Sequence, residues 1–141
     1  MSDFMKSFSL LFVFSVLCTF ISIGQETSYS YYFEGNKQLF KKNYEAAVEA
    51  YNKGLEMDPN ADYLYFNRGN AKFELKNFKG ARLDYNKTLM INKEYAEAYY
   101  GRGRAKLFLT PPDNSGCKDL KTARKMDFKS AKTALQELCK E

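Results

Sequence analysis

The 141-residue chain has no histidine. Without an imidazole it lacks the side chain that titrates near neutral pH, the partner of a Ser–His or Cys–His nucleophile, and the commonest metal ligand. It also lacks a glycine-rich phosphate loop, a nucleophile elbow and a Cys/His set at metal-binding spacing. The acidic pairs Glu45/Glu49 and Glu94/Glu97 stand at helical spacing, where carboxylates ordinarily form a solvated face. No catalytic, cofactor or metal site is therefore expected, and the chain reads as non-enzymatic. Charge of one sign is scarce as well. The net charge is +5, with basic residues scattered among acidic ones rather than drawn into the stripe that nucleic acid requires. Nucleic acid is not an expected partner. The three prolines, Pro59, Pro111 and Pro112, mark breaks, and nothing between them reads as strand or as low-complexity sequence.

What the sequence does have is an internal period. Gly35, Gly69 and Gly103 recur at a step of 34 residues, and Tyr31, Tyr65 and Tyr99 keep the same step. Phe78, Ala81 and Tyr85 answer Tyr44, Ala47 and Tyr51. Tyr65 and Gly69 are one helical turn apart, and Phe78, Ala81 and Tyr85 share another helical face. A small residue in each face lets two antiparallel helices approach closely, with Lys76-Asn77 as their turn. One such hairpin cannot bury both its faces, whereas stacked hairpins can.

The order aromatic, Gly, then Tyr/Phe, Ala, Tyr, then Pro59 resembles the tetratricopeptide repeat (TPR). The resemblance spans about Ser28 to Asp127 and departs from the pattern in three ways. Gln38, Lys72 and Lys106 stand where an aromatic is usual, and Lys93 replaces the closing proline of the second repeat. The third repeat fits only with one residue inserted around Thr110–Asn114, which makes Asp119 the counterpart of Asp84. The expected fold is all-α: a right-handed solenoid of three TPR hairpins followed by a C-terminal capping helix. The expected segments are a signal peptide (1–24), a tether with the first repeat (25–61), the second repeat (62–95), the third (96–127) and the cap (128–141). The cap places Ala131, Ala134, Leu135 and Leu138 on one side, as a terminal helix closing a repeat array requires.

In TPR proteins the first helices of the repeats line a concave groove that binds peptides. Applying the step of 34 gives rows across that groove. Tyr32, Phe66 and Tyr100 form one. Asn36, Asn70 and Arg104 form a polar one, with Asn67 beside it. The alternative is that these aromatics are core and the asparagines merely solvated. Leu39, Phe73 and Leu107 read as packing between helices. The polar row suits a peptide main chain, and Arg104 suits an acidic group. Some family members grip the terminal carboxylate of chaperone tails with two Asn and three basic residues. Asn36 and Asn67 hold the two Asn places here, but the basic places hold Tyr32, Glu97 and Gly101, so chaperone tails are not the expected ligand. The expectation is a protein-interaction module with a peptide or protein partner. The alternative is a structural component of an envelope complex, acting by self-association or end-face docking.

Met1 to Gly24 reads as a secretory signal: Lys6, an apolar run from Phe8 to Ile23, and the small-x-small triplet Ser22-Ile23-Gly24 before Gln25. The alternative is a retained anchor, the chain's one expected contact with a membrane. Cys18 falls within the apolar run. The expected location is the periplasm or outside the cell. Of the remaining cysteines, Cys117 and Cys139 permit a disulfide in an exported chain. They also read as two buried thiols.

Overall fold

The computed structural model describes residues 27–140. Among them are seven α-helices and no strand: α1 Ser28–Phe40, α2 Tyr44–Met57, α3 Asp62–Glu74, α4 Phe78–Ile91, α5 Ala96–Leu107, α6 Gly116–Lys125 and α7 Ser130–Cys139. The expected signal peptide lies outside the described residues. No described helix is long and apolar enough to cross a membrane.

Local chemistry sets the helix ends. Thr27 caps α1 reciprocally with Ser30, each hydroxyl accepting the other's backbone N–H at 3.2 Å. Asn77 caps α4 by accepting Gly80 N–H at 2.9 Å. The α1–α2 and α3–α4 turns are the same device one repeat apart. Lys42 and Lys76 sit in the left-handed region with φ 61° and 59°. Their N–H groups donate to Leu39 and Phe73, and those of the following asparagines to Gln38 and Lys72, all at 2.9 Å. These pairs of bonds satisfy the last carbonyls of each helix in a Schellman motif. Asp127 (φ 62°) ends α6 in the same way. Before α6, the Ser115 side chain makes no capping bond, and Asp113 accepts the Ser115 N–H at 3.0 Å.

The helices pair as hairpins, α1 with α2, α3 with α4 and α5 with α6, and α7 closes against α6 and α5. Neighbouring hairpins also touch through α1 and α3 and through α3 and α5, whereas α2, α4 and α6 do not touch one another. The stack therefore bends, with α1, α3, α5 and α7 on its inner face. The tyrosines of the period set the spacing. Tyr51 and Tyr85 are buried to 0% and 2% exposure. Tyr51 lies against Gly35 and leaves no room there for a Cβ. Tyr85 lies between Gly69 and Gly101, where a Cβ would fall 2.9 and 2.6 Å from the ring. Glycine is required at these positions because the ring occupies the side-chain space.

A polar ladder runs beside this core. Arg68 on α3 holds the buried Asp84 on α4 through two hydrogen bonds of 2.9 and 2.7 Å, and its remaining nitrogen reaches Asn52 on α2 at 2.6 Å. Lys72 Nζ adds a contact of 2.8 Å to Asp84. One repeat on, Arg102 holds Asp119 at 2.8 and 2.6 Å and reaches Asn86 at 2.9 Å, with Lys106 2.8 Å from Asp119. Each arginine also lies over the repeat tyrosine before it, Tyr65 at 5.4 Å and Tyr99 at 5.3 Å. Lys72 and Lys106 thus replace the usual aromatic because each neutralises a buried carboxylate. At the far end, Cys117 on α6 and Cys139 on α7 are joined in a disulfide with Cα atoms 5.9 Å apart.

Candidate functional site

The inner face carries a cleft of about 210 Å³ between α3 and α5. Phe66, Asn70, Phe73 and Glu74 come from α3, and Glu97, Tyr100, Gly101 and Arg104 from α5. Tyr85 forms its floor, and Phe128, in the turn before α7, closes one side. Every residue from α3 and α5 recurs at helical spacing, so the cleft is the seam between two first helices. Gly101 matters here because the absent side chain leaves the Tyr85 ring open to the cleft.

The aromatic rings are fixed by their neighbours. Phe66 stacks on Tyr95 with centroids 4.8 Å apart. Phe73 meets Phe78 and Phe108 edge-on at 5.1 and 5.8 Å. Tyr100 packs on Phe128 at 5.0 Å. Arg104 lies across two of them, its guanidinium carbon 4.4 Å from the Phe73 centroid and 5.4 Å from that of Tyr100. Stacking of this kind holds the planar group flat while leaving its N–H groups at the surface.

The asparagines are partly committed. The Tyr85 hydroxyl donates to Asn70 Oδ1 at 2.7 Å, and Tyr51 donates to Asn36 Oδ1 at the same distance. Each amide therefore has its oxygen taken and presents its NH₂. Burial, the largest cause, raises the pKa of both phenols well above the ordinary value, so they stay protonated donors. Asn67 Nδ2 donates to Tyr63 C=O one turn back at 2.7 Å and so serves its own helix.

The sequence-derived residues thus divide. Phe66, Asn70, Tyr100 and Arg104 meet in one cleft. Tyr32 joins an aromatic cluster at the other end of the inner face, 5.2 Å from Tyr63 and 5.5 Å from Phe33, and packs against the first core cluster. Asn36 is on the same helix as Tyr32. Phe73 packs between helices as its row was expected to, and it also lines the cleft beneath Arg104. Glu74 and Phe128 were not singled out from the sequence. Glu74 follows Phe73 on the same helix end, and only the fold brings Phe128 back over α5.

A second hollow, about 380 Å³, continues from the first across Tyr100 and Arg104, which line both. It is bounded by Phe108 and by the α7 residues Ser130, Thr133, Ala134, Glu137 and Leu138. The two make one trough across α3, α5 and α7.

A family profile described as TPR repeat matches residues 35–76. No curated protein matches the chain at a significant level. Among solved structures, the first TPR domain of human RPAP3 is 28% identical, with a TM-score of 0.76 over 83% of this chain and 93% of that one. The second TPR domain of human RPAP3, solved in complex with the HSP70 peptide SGPTIEEVD, is 27% identical, with a TM-score of 0.75 over 81% and 96%. The Arabidopsis OM64 TPR domain is 28% identical, with a TM-score of 0.76 over 81% and 95%.

Proposed function

We propose that this tetratricopeptide repeat protein is an exported, non-catalytic interaction module that binds a segment of a partner protein along the trough lined by Phe66, Asn70, Tyr100 and Arg104. The observation that carries this reading is the cleft itself: fixed aromatic faces beside an amide whose NH₂ is free to bind a main chain. Aromatic residues held rigid in a concave site supply contact area at small entropic cost. Asn70 donates to a carbonyl of the bound segment, and Asn36, with Tyr32 and Asn67 nearby on the inner face, extends the same surface toward α1.

The similarity to TPR domains solved with HSP70 peptides supports peptide binding in general. It does not extend to the acidic tail of those peptides. Of the five positions of the carboxylate grip, three hold Tyr32, Glu97 and Gly101 here, and Asn67 is bonded within its helix. Export rests on the apolar N-terminal run and its small-x-small triplet. The Cys117–Cys139 bridge suits an oxidising compartment such as the periplasm.

The test is selection of peptides from a displayed library against residues 25–141, followed by titration against wild type, Phe66→Ala and Tyr100→Ala. Either substitution is expected to weaken binding about tenfold or more, with helicity unchanged. Equal affinity in all three proteins would place the partner elsewhere on the solenoid.

A further inference from the structure

The charge of the trough is opposite to that of the chain. Glu74 and Glu97 line its first part, Glu137 lines its second, and Arg104 is the single cation of both. Three carboxylates against one guanidinium give −2, in a protein whose net charge is +5. None of the described lysines lines either hollow. The three glutamates are exposed, and none has a hydrogen-bond or ion-pair partner among the described residues. The carboxylates of the ladder, Asp84 and Asp119, are by contrast each held by an arginine and a lysine.

Arg104 offsets only one of the three carboxylates. Its guanidinium lies against the rings of Phe73 and Tyr100, which hold it in place on the aromatic floor. Around that floor, Phe66, Phe128 and Leu138 offer apolar surface in the same lining as Glu74, Glu97 and Glu137.

We propose that the trough selects a basic, aromatic segment of a partner protein: an extended chain with a large apolar side chain seated on Phe66 and Phe128, and lysine or arginine on either side of it. The inference rests on the reading of the trough as a peptide site and adds the sign of its charge. A cationic side chain gains from the glutamates and from the faces of the rings, and its aliphatic stem covers apolar surface. An acidic segment meets three like charges and a single cation that is already stacked. Complementarity of this kind acts chiefly on specificity and on the rate of encounter.

Three blocked peptides of equal length test this. All carry the same two phenylalanines, and the positions between them hold lysine, serine or glutamate. Binding to residues 25–141 is followed by fluorescence anisotropy at low and at physiological salt. The expected order is lysine, then serine, then glutamate, with about tenfold or more between the first and last at low salt and a smaller ratio at higher salt. The double variant Glu74→Lys/Glu97→Lys is expected to reverse the order. Arg104→Ala is expected to widen the preference for the lysine peptide. Tyr100→Ala is expected to weaken all three together. If the glutamate peptide binds as well as the lysine peptide, and Tyr100→Ala weakens both, the charge inference is overturned while the peptide site stands. If none of the three binds, or if binding ignores Tyr100→Ala, the peptide site falls and the inference with it.

Discussion

Arg68 holds the carboxylate of Asp84 with two parallel hydrogen bonds, and Asp84 is nearly removed from solvent, at 6% side-chain exposure. A buried carboxylate with its partners in place is tolerated, and the same carboxylate stripped of one partner is costly. Arg68→Met is therefore expected to destabilise the fold by about 3 kcal/mol. Lys72→Met is expected to cost less, about 1–2 kcal/mol, since Arg68 still makes both its bonds. Urea unfolding of the two variants decides the order, and a larger loss for Lys72→Met would contradict the geometry.

Lys76 occupies a left-handed conformation that an L side chain disfavours by about 1–2 kcal/mol. Among the described residues its hydrogen bonds are those of the backbone, which any residue provides. Lys76→Gly is expected to raise stability by about 0.5–1 kcal/mol after the greater freedom of glycine in the unfolded chain is subtracted. Thermal unfolding should show a higher midpoint, and a lower one would mean that the lysine side chain contributes more than the turn geometry implies.

The Cys117–Cys139 bridge closes a loop with a sequence separation of 22 and ties α7 to α6. In the chain-entropy account a loop of this size is worth about 3 kcal/mol. Reduction is expected to lower the melting temperature and to expose the α7 side of the core, where Leu120 and Leu135 meet. Dye binding to exposed apolar surface before and after reduction follows this directly. An unchanged melting temperature would show that the cap holds by packing alone.

Tyr95 is half-buried and stacked on Phe66, and burial, the largest cause, pushes its phenol up to about 12 from an ordinary value of 10.0. The folded state therefore favours the protonated phenol. The stabilisation is fully present below pH 10, where both states are protonated alike, and is lost as the pH rises toward 12. The buried Tyr51 and Tyr85 act in the same direction. Unfolding free energy measured from neutral pH upward should stay flat with respect to these groups until about pH 10 and then fall, and Tyr95→Phe should fall less steeply.

Protein recovered from its native host is expected to begin at Gln25, which N-terminal mass analysis reads directly. A chain that retains Phe12 and Phe14 would favour a membrane anchor.

The hairpins were legible because their determinants are local and periodic. Glycine one turn after a tyrosine, and alanine between two aromatics, identify two faces that must meet. The register of Asp119 with Asp84 was also legible, since one inserted residue restores the alignment. The function of that pair was not. Lys72 and Lys106 look like departures from the pattern when each is read alone, and only the approach of α3 to α4 and of α5 to α6 turns them into partners of a buried charge. A signal was present, because Arg68 with Lys72 and Arg102 with Lys106 repeat at the step of 34, and each pair is followed by an aspartate once the inserted residue is allowed for. Row arithmetic likewise found Phe66, Asn70, Tyr100 and Arg104. It missed Phe128, whose place depends on a turn outside the period, and it could not anticipate that Arg104 would lie on Phe73.

The ladder leaves one hairpin out. Position 50, one step before Asp84, is Ala50, and Glu34 stands where Arg68 and Arg102 stand later. Glu34 bonds instead to Gln38 at 2.6 Å and to Lys37 at 3.3 Å, within its own helix. Helix α1 is thus joined to α2 through Tyr51, with its bond to Asn36, and to α3 through the rings of Tyr29 and Tyr32 against Tyr63, while α2 to α6 are stitched by successive Asn–Arg–Asp links. Local opening in such an array starts where neighbour coupling is weakest. Amide hydrogens of α1 should exchange first, in a step that leaves α3 and α5 protected, so the chain can shed its first helix while the cleft between those two stays formed.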